Sequence, residues 1–156
     1  MRRSSMDTHP QPPSGILAGP RHLFPVRVCF EDTDLTGHAY HANYLNWAER
    51  GRSDLLRLLG IDQRAAMEAG EGHYAVAEAH IRYLAPAGMD DPLIVITELA
   101  ELGAASVRLQ QRITRGTELL AEIAVRVGFV GLNGRPRRQP APWRAAFETF
   151  AAKGAE

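Results

Sequence analysis

With 156 residues, 45% of them hydrophobic and 23% charged, the chain has the make-up of one globular domain that buries a core without staples. Eighteen Lys and Arg balance eighteen Asp and Glu, so no sequence-wide basic field is offered to nucleic acid. No apolar run approaches the ~20 residues that span a bilayer, and Cys29, the single cysteine, excludes an intrachain disulfide.

Residues 1–22 are rich in Pro, Ser and Gly and read as a disordered lead-in. Arg2-Arg3 is not followed by an apolar stretch, so it does not read as a secretion signal, and the cytoplasm is the expected location. The folded domain is expected over residues 23–152. Leu23–Glu31 is its first strand, with Val26, Val28 and Phe30 on one face. A polar loop follows, carrying Asp32, Asp34, Gly37, His38 and His41. A long helix then begins near His41–Tyr44. At ~100° per residue, Tyr44, Trp47, Ala48, Gly51, Leu55, Leu58 and Leu59 form its apolar face. Asn46, Arg50, Ser53, Asp54 and Arg57 form the wet one. Arg50 and Asp54 are spaced for an i,i+4 pair. Gly51 on the apolar face predicts a close approach to a neighbour. Arg52 projects into the apolar sector, with Glu49 as its partner; the pair is structural, or Glu49 lines a pocket.

Gly60 ends that helix. Asp62 caps a short helix over Asp62–Ala69. Four strand-like runs follow: Tyr74–Leu84, Leu93–Leu102, Ala105–Arg115 and Thr117–Val130. Ala75, Ala77, Ala79, Ile81 and Tyr83 share one face of the first run, and a face that small suits a helix lying close against it. Short Gly-bearing connections make neighbouring strands antiparallel. Trp143–Ala152 reads as a terminal helix. Strand, long helix and antiparallel meander make an α+β layer in which the sheet wraps the apolar helix.

The loop gathers carboxylates, an imidazole and a helix N-terminus. A carboxylate serves as general base or nucleophile, and a helix N-terminus supplies free N–H groups that suit a developing oxyanion. Taken alone, Asp32 and Asp34 equally fit loop-turn or capping roles.

Glu31-Asp32-Thr33-Asp34, Gly37, Tyr40-His41-Ala42-Asn43-Tyr44-Leu45 and the set Glu49, Arg50 and Arg52 resemble the hotdog-fold acyl-CoA thioesterases of the 4-hydroxybenzoyl-CoA type. Among these the chain is most similar to the Tol–Pal-associated subgroup. The resemblance covers roughly residues 24–143. It implies a hotdog fold and cofactor-independent hydrolysis of an acyl-CoA, short-chain or aromatic, with an acyl carrier protein as the other carrier. It makes Asp34 the catalytic carboxylate, puts the oxyanion amide at about His41, and makes the His41 ring a catalytic or orienting group. Ala42 and Tyr44 become substrate-binding residues, and Asp32 stays structural. It also implies a homodimer or homotetramer with sites built across subunits. An acyl-thioester-binding module without turnover is the alternative of another class.

Asp32-Thr33-Asp34-Leu35-Thr36 also resembles the D-x-D-x-T motif of phosphatases of the haloacid dehalogenase type, in which the first Asp is the nucleophile. That reading needs a parallel sheet of alternating strands and helices and a downstream lysine, and the only lysine is Lys153. Asp32, Asp34, His38 and His41 are suitable metal-ligand types, but all lie on one loop with no matching pair elsewhere, so no metal is expected. Arg82, Arg135, Arg137 and Arg138 are candidate partners for the phosphates of CoA by charge alone.

Overall fold

The computed structural model describes residues 9–155. In chain order the elements are β1 (Ile16–Ala18), β2 (Arg21–Arg27), α1 (Asn43–Leu58), α2 (Gln63–Glu68), β3 (His73–Tyr83), β4 (Pro92–Leu102), β5 (Ser106–Arg115), β6 (Glu118–Val130) and α3 (Ala141–Ala152). The six strands form one sheet in the order β1-β2-β4-β5-β6-β3, and every pairing is antiparallel. That excludes the parallel sheet of the phosphatase reading. Among the described residues, no helix is long and apolar enough to cross a membrane.

Helix α1 forms where its pattern predicts. Tyr44, Trp47, Ala48, Gly51 and Leu55 are buried along one stripe, and Gly60 adopts φ +77° just past the end. A Cβ on Gly51 would lie 2.9 Å from Val95 Cγ1. The close neighbour is therefore a β4 side chain. Tyr44, Trp47 and Ala48 pack with Phe24, Val26, Val28, Leu93, Val95, Ile113 and Ile123. The C-terminal half of α1 joins a second cluster through Leu55, in which Trp143, Phe147 and Phe150 of α3 cover Leu109, Val125 and Phe129. Each such side chain contributes about 1.5–3 kcal/mol by its burial.

The sheet departs from a simple meander. Of the four strands after α1, β4, β5 and β6 follow one another in space, but β3 lies at the far edge beside β6, and β4 pairs with β2. The connection after β3 must therefore cross the sheet end. Leu84 N–H bonds Leu120 O at 2.8 Å at one side of this crossing. At the other, Asp90 N–H bonds Val28 O at 2.8 Å.

The expected helix-facing alanine row of β3 does not exist. A bulge between Val76 and Glu78 shifts the register and exchanges the faces. Tyr74 points into the core, 5.8 Å from the Phe129 ring and 5.5 Å from the Trp143 ring. Beyond the bulge, Ile81 packs against the core and Tyr83, 45% exposed, sets its ring edge-on to Tyr44, while Ala77 and Ala79 are exposed.

Residues 1–8 of the expected lead-in lie outside the described residues. The rest of it is not featureless. Ile16–Ala18 pairs with β2 through a tight turn at Gly19, which adopts φ +62°, and β2 begins at Arg21 rather than Leu23. Phe30, expected inward, is 79% exposed because the chain leaves the sheet there and coils into a 3-10 turn over Phe30–Asp32.

The hairpin also corrects the helix. Asp54, expected on the wet face and paired with Arg50, is fully buried. His22 Nε2 lies 2.6 Å from its carboxylate, Gly15 N–H donates at 2.8 Å, Ser14 Oγ at 3.0 Å and Arg57 at 3.2 Å. Residues 14–22 fold over that side of α1 and convert a surface carboxylate into an interior one.

Candidate active site

The loop between β2 and α1 is built from its own short-range bonds. The Asp32 carboxylate accepts the Cys29 N–H at 2.7 Å and closes the 3-10 turn. The Asp32 carbonyl accepts Tyr40 N–H at 2.7 Å and Asn43 Nδ2 at 2.8 Å. Asp32 therefore ties the outgoing strand to the first helical residue, through its carbonyl and one carboxylate oxygen. The antiparallel sheet already excludes the phosphatase reading in which Asp32 is the nucleophile.

Between the bridge partners Thr33 and Ala39 the chain makes a small turn. Asp34 N–H bonds His38 O and Gly37 N–H bonds Asp34 O, both at 3.0 Å. Gly37 sits at φ +82°, which a side chain at that position would resist. Asp34 is thereby held at the tip, exposed. Its Oδ1 accepts the Thr36 hydroxyl and, at 2.8 Å, the Thr36 N–H. Its Oδ2 has no donor among the described residues. The Thr36 hydroxyl and N–H, with smaller help from the charges of His38 and His41, hold the Asp34 carboxyl below its ordinary value. It is ionised at neutral pH.

Helix α1 begins with an unusual cap. The N-cap is Ala42, in helical conformation, with no side-chain cap. Asn43 N–H is taken by Tyr40 O at 3.0 Å and Tyr44 N–H by His41 O at 3.4 Å. The N–H groups of His41 and Ala42 find no acceptor among the described residues. Two donors stay free at the positive end of a sixteen-residue helix.

The His41 ring is exposed, its centroid 4.5 Å from the Tyr40 ring and 6.1 Å from the Tyr83 ring. Asp34, His41 and Ala42 thus collect at one end of α1. Tyr44, expected to bind substrate, is 3% exposed, and its hydroxyl accepts the Ala87 N–H at 3.1 Å. Its position on the apolar face of α1 sends the ring into the core, where it holds the crossing segment after β3. Ala87 O in turn accepts Ala39 N–H at 2.8 Å, so the crossing is bonded to both α1 and the loop.

Sequence reasoning missed Tyr83. It is distant in the chain, its only cue being its alternation with Ile81. Its hydroxyl donates to His41 O at 2.8 Å. Leu35 is fully exposed, while Phe30, Tyr40, Tyr83 and Met89 are exposed to lesser degrees.

The other candidates lie apart. Arg52 bonds Glu49 at 2.6 Å and Gln111 Oε1 at 2.9 Å, which makes it a structural link between α1 and β5. Arg82 pairs with Glu122 at 3.4 Å across the sheet, and Arg137 donates to Glu71 O at 2.8 Å. Arg135 sits in the turn after β6, and Arg138 lies beside Gln139 and Arg144. A groove of 590 Å³ lined by Ser53, Leu56, Arg57, Ile61, Gln63 and Arg64 lies at the opposite end of α1.

Residues 28–150 match the pattern of the thioesterase-like superfamily. The acyl-CoA thioesterase YbgC of Haemophilus influenzae is 39% identical over 125 residues, 80% of this chain and 92% of that protein. The acyl-CoA thioester hydrolase YbgC of Escherichia coli is 38% identical over 127 residues, 80% of this chain and 94% of that one. Among solved structures, a "Probable Thioesterase" from Bartonella henselae superposes with a TM-score of 0.73 at 33% identity, covering 77% of this chain and 99% of that one. The 1,4-dihydroxy-2-naphthoyl-CoA thioesterase from Synechocystis gives 0.76 at 21% identity over 81% and 95%, a likeness of fold.

Proposed function

The chain belongs to the thioesterase-like superfamily, and on that premise we propose that it is an acyl-CoA thioester hydrolase using Asp34 and the N-terminus of α1. Relatives named for that activity match four fifths of the chain and more than nine tenths of their own length. The observation that carries the site reading is the exposed, ionised Asp34, with one unbonded oxygen, beside a helix start whose first two N–H groups are free.

In this reading the thioester oxygen accepts the His41 N–H, which stabilises negative charge as the carbonyl carbon is attacked. Asp34 takes a proton from the attacking water. The tetrahedral intermediate then expels CoA thiolate, the C–S bond breaks, and the free acid remains. Along the covalent route the Asp34 carboxylate attacks first, forms a mixed anhydride as thiolate leaves, and water then cleaves the anhydride. Both routes need Asp34 ionised. The His41 ring, exposed at the helix start, orients the thioester and gives the thiolate its proton. Ala42 contacts the substrate through its backbone. Tyr44 acts from beneath by anchoring the crossing segment.

Tyr44 and Trp47 are 3% and 2% exposed, packed into the core. The reading therefore places the acyl group against a second copy of the chain, in a homodimer or homotetramer. The exposed Phe30, Leu35 and Tyr83 support this by ringing the loop with apolar surface.

The test is free-thiol release from butyryl-, palmitoyl- and benzoyl-CoA, with wild type and Asp34→Asn in parallel. Hydrolysis of one acyl class, lost in the variant, supports the reading. A folded wild type that releases thiol neither from these nor from the matching acyl carrier proteins overturns it in favour of binding without turnover.

A further inference from the structure

Tyr83 reaches the site from the sheet edge, far from the loop in sequence. Its ring meets His41 edge-on at 6.1 Å and Tyr44 edge-on at 5.4 Å, each at 90°. Its hydroxyl bonds the His41 carbonyl at 2.8 Å. That oxygen belongs to the peptide unit whose nitrogen is Ala42 N. A trans peptide is planar, with C=O and N–H pointing in opposite directions. A bond that fixes the carbonyl therefore also fixes the direction of the Ala42 N–H. The other donor to the His41 carbonyl, the Tyr44 N–H three residues on, lies at a long 3.4 Å, and the Leu45 N–H, its α-helical partner by spacing, goes to Ala42 O. The phenol is the shorter and better partner.

We propose that Tyr83 is a positioning residue that sets and polarises the His41–Ala42 peptide, making Ala42 N–H the second donor to the thioester oxygen beside His41 N–H. The inference rests on the hydrolase reading above and adds a second amide and the residue that aims it. A hydrogen bond accepted at the carbonyl draws charge through the amide and strengthens its N–H as a donor. Partial burial, followed by the neighbouring Tyr40, pushes the Tyr83 phenol above its ordinary value, so the hydroxyl keeps the proton it donates. The ring rests on Tyr44, which is itself bonded to Ala87. The hydroxyl is therefore mounted on the core rather than on the loop.

Tyr83→Phe removes the hydroxyl and keeps the ring contacts, so the fold has little reason to change. With the acyl-CoA that wild type hydrolyses fastest among butyryl, palmitoyl and benzoyl, the variant is expected to lose about tenfold in kcat. That is a fraction of the ~10²–10³-fold cost of deleting a direct oxyanion donor. KM and melting temperature are expected to stay near wild type. The second readout is the infrared band of the thioester carbonyl bound to Asp34→Asn. It should move to lower frequency on binding, and move less in Asp34→Asn/Tyr83→Phe. A packing role alone would leave that band unchanged. If wild type is active and Asp34→Asn inactive, but Tyr83→Phe retains wild-type kcat or leaves the band unchanged, this inference fails and the hydrolase reading stands. If wild type releases thiol neither from the three nor from the matching acyl carrier proteins, both fall together.

Discussion

Helix α1 carries two aspartate–histidine neighbourhoods, and they are opposites. At its N-terminus, Asp34 and His41 are exposed, one carboxylate oxygen is unbonded, and two backbone N–H groups find no acceptor among the described residues. Near its C-terminal half, Asp54 and His22 are fully buried 2.6 Å apart, and every oxygen of Asp54 is engaged. Burial pushes the His22 imidazole below its ordinary value despite the adjacent Asp54, and His22 Nδ1 has no hydrogen-bond partner among the described residues. Burial raises Asp54, but the bonds from His22, Gly15, Ser14 and Arg57 outweigh it and leave the carboxyl low. The same residue types therefore make an open, exposed carboxylate at one end and a clasp at the other. What separates them is whether their hydrogen-bonding capacity is already spent.

The comparison breaks most visibly at Asp34. Asp34→Asn should lower turnover by about 10²–10⁴-fold, the weight of a positioned acid–base group, with a nearly unchanged melting curve because the exposed side chain bonds only Thr36, next to it in the same turn. At the clasp the outcome should be reversed. Asp54→Ala leaves the Gly15 N–H and His22 without their acceptor in the interior, and chemical denaturation should show a loss of about 3 kcal/mol. An Asp54→Ala protein as stable as wild type would mean that the hairpin β1–β2 is not held to α1 as described.

Thr36→Val sharpens the picture at smaller scale. The Thr36 hydroxyl is the largest cause of the lowered Asp34 carboxyl. Its loss should carry the acid limb of the kcat/KM profile to higher pH, since a carboxylate with fewer donors holds its proton more tightly. An unmoved limb would mean that another group sets it. Smallest is Asp32→Asn, which keeps an acceptor for the Cys29 N–H and should change turnover by only a few-fold. If that variant were the inactive one, the roles of Asp32 and Asp34 would be exchanged.

The sequence by itself determined the elements whose signals are local. The stripe from Tyr44 to Leu55 made α1, Asp62 capped α2 through Ala65 N–H at 3.0 Å, and alternation made the strands. The loop motif picked out Asp34 and His41, and their spacing from Gly37 and the helix start carried the family likeness. What depended on distant segments was not legible. A bulge at Val76–Glu78 reversed the facing of β3, because one extra residue exchanges the two faces of a strand whose period is two. The hairpin over residues 16–27 turned Asp54 from a surface residue into a buried one, since burial belongs to whatever folds on top and not to the helix that bears the side chain. Only the tertiary structure brought Tyr83, from an edge strand, to the carbonyl of His41. Periodicity is written in neighbouring residues. A contact between residues 41 and 83 exists only once β3 has paired with β6 at the far edge of the sheet.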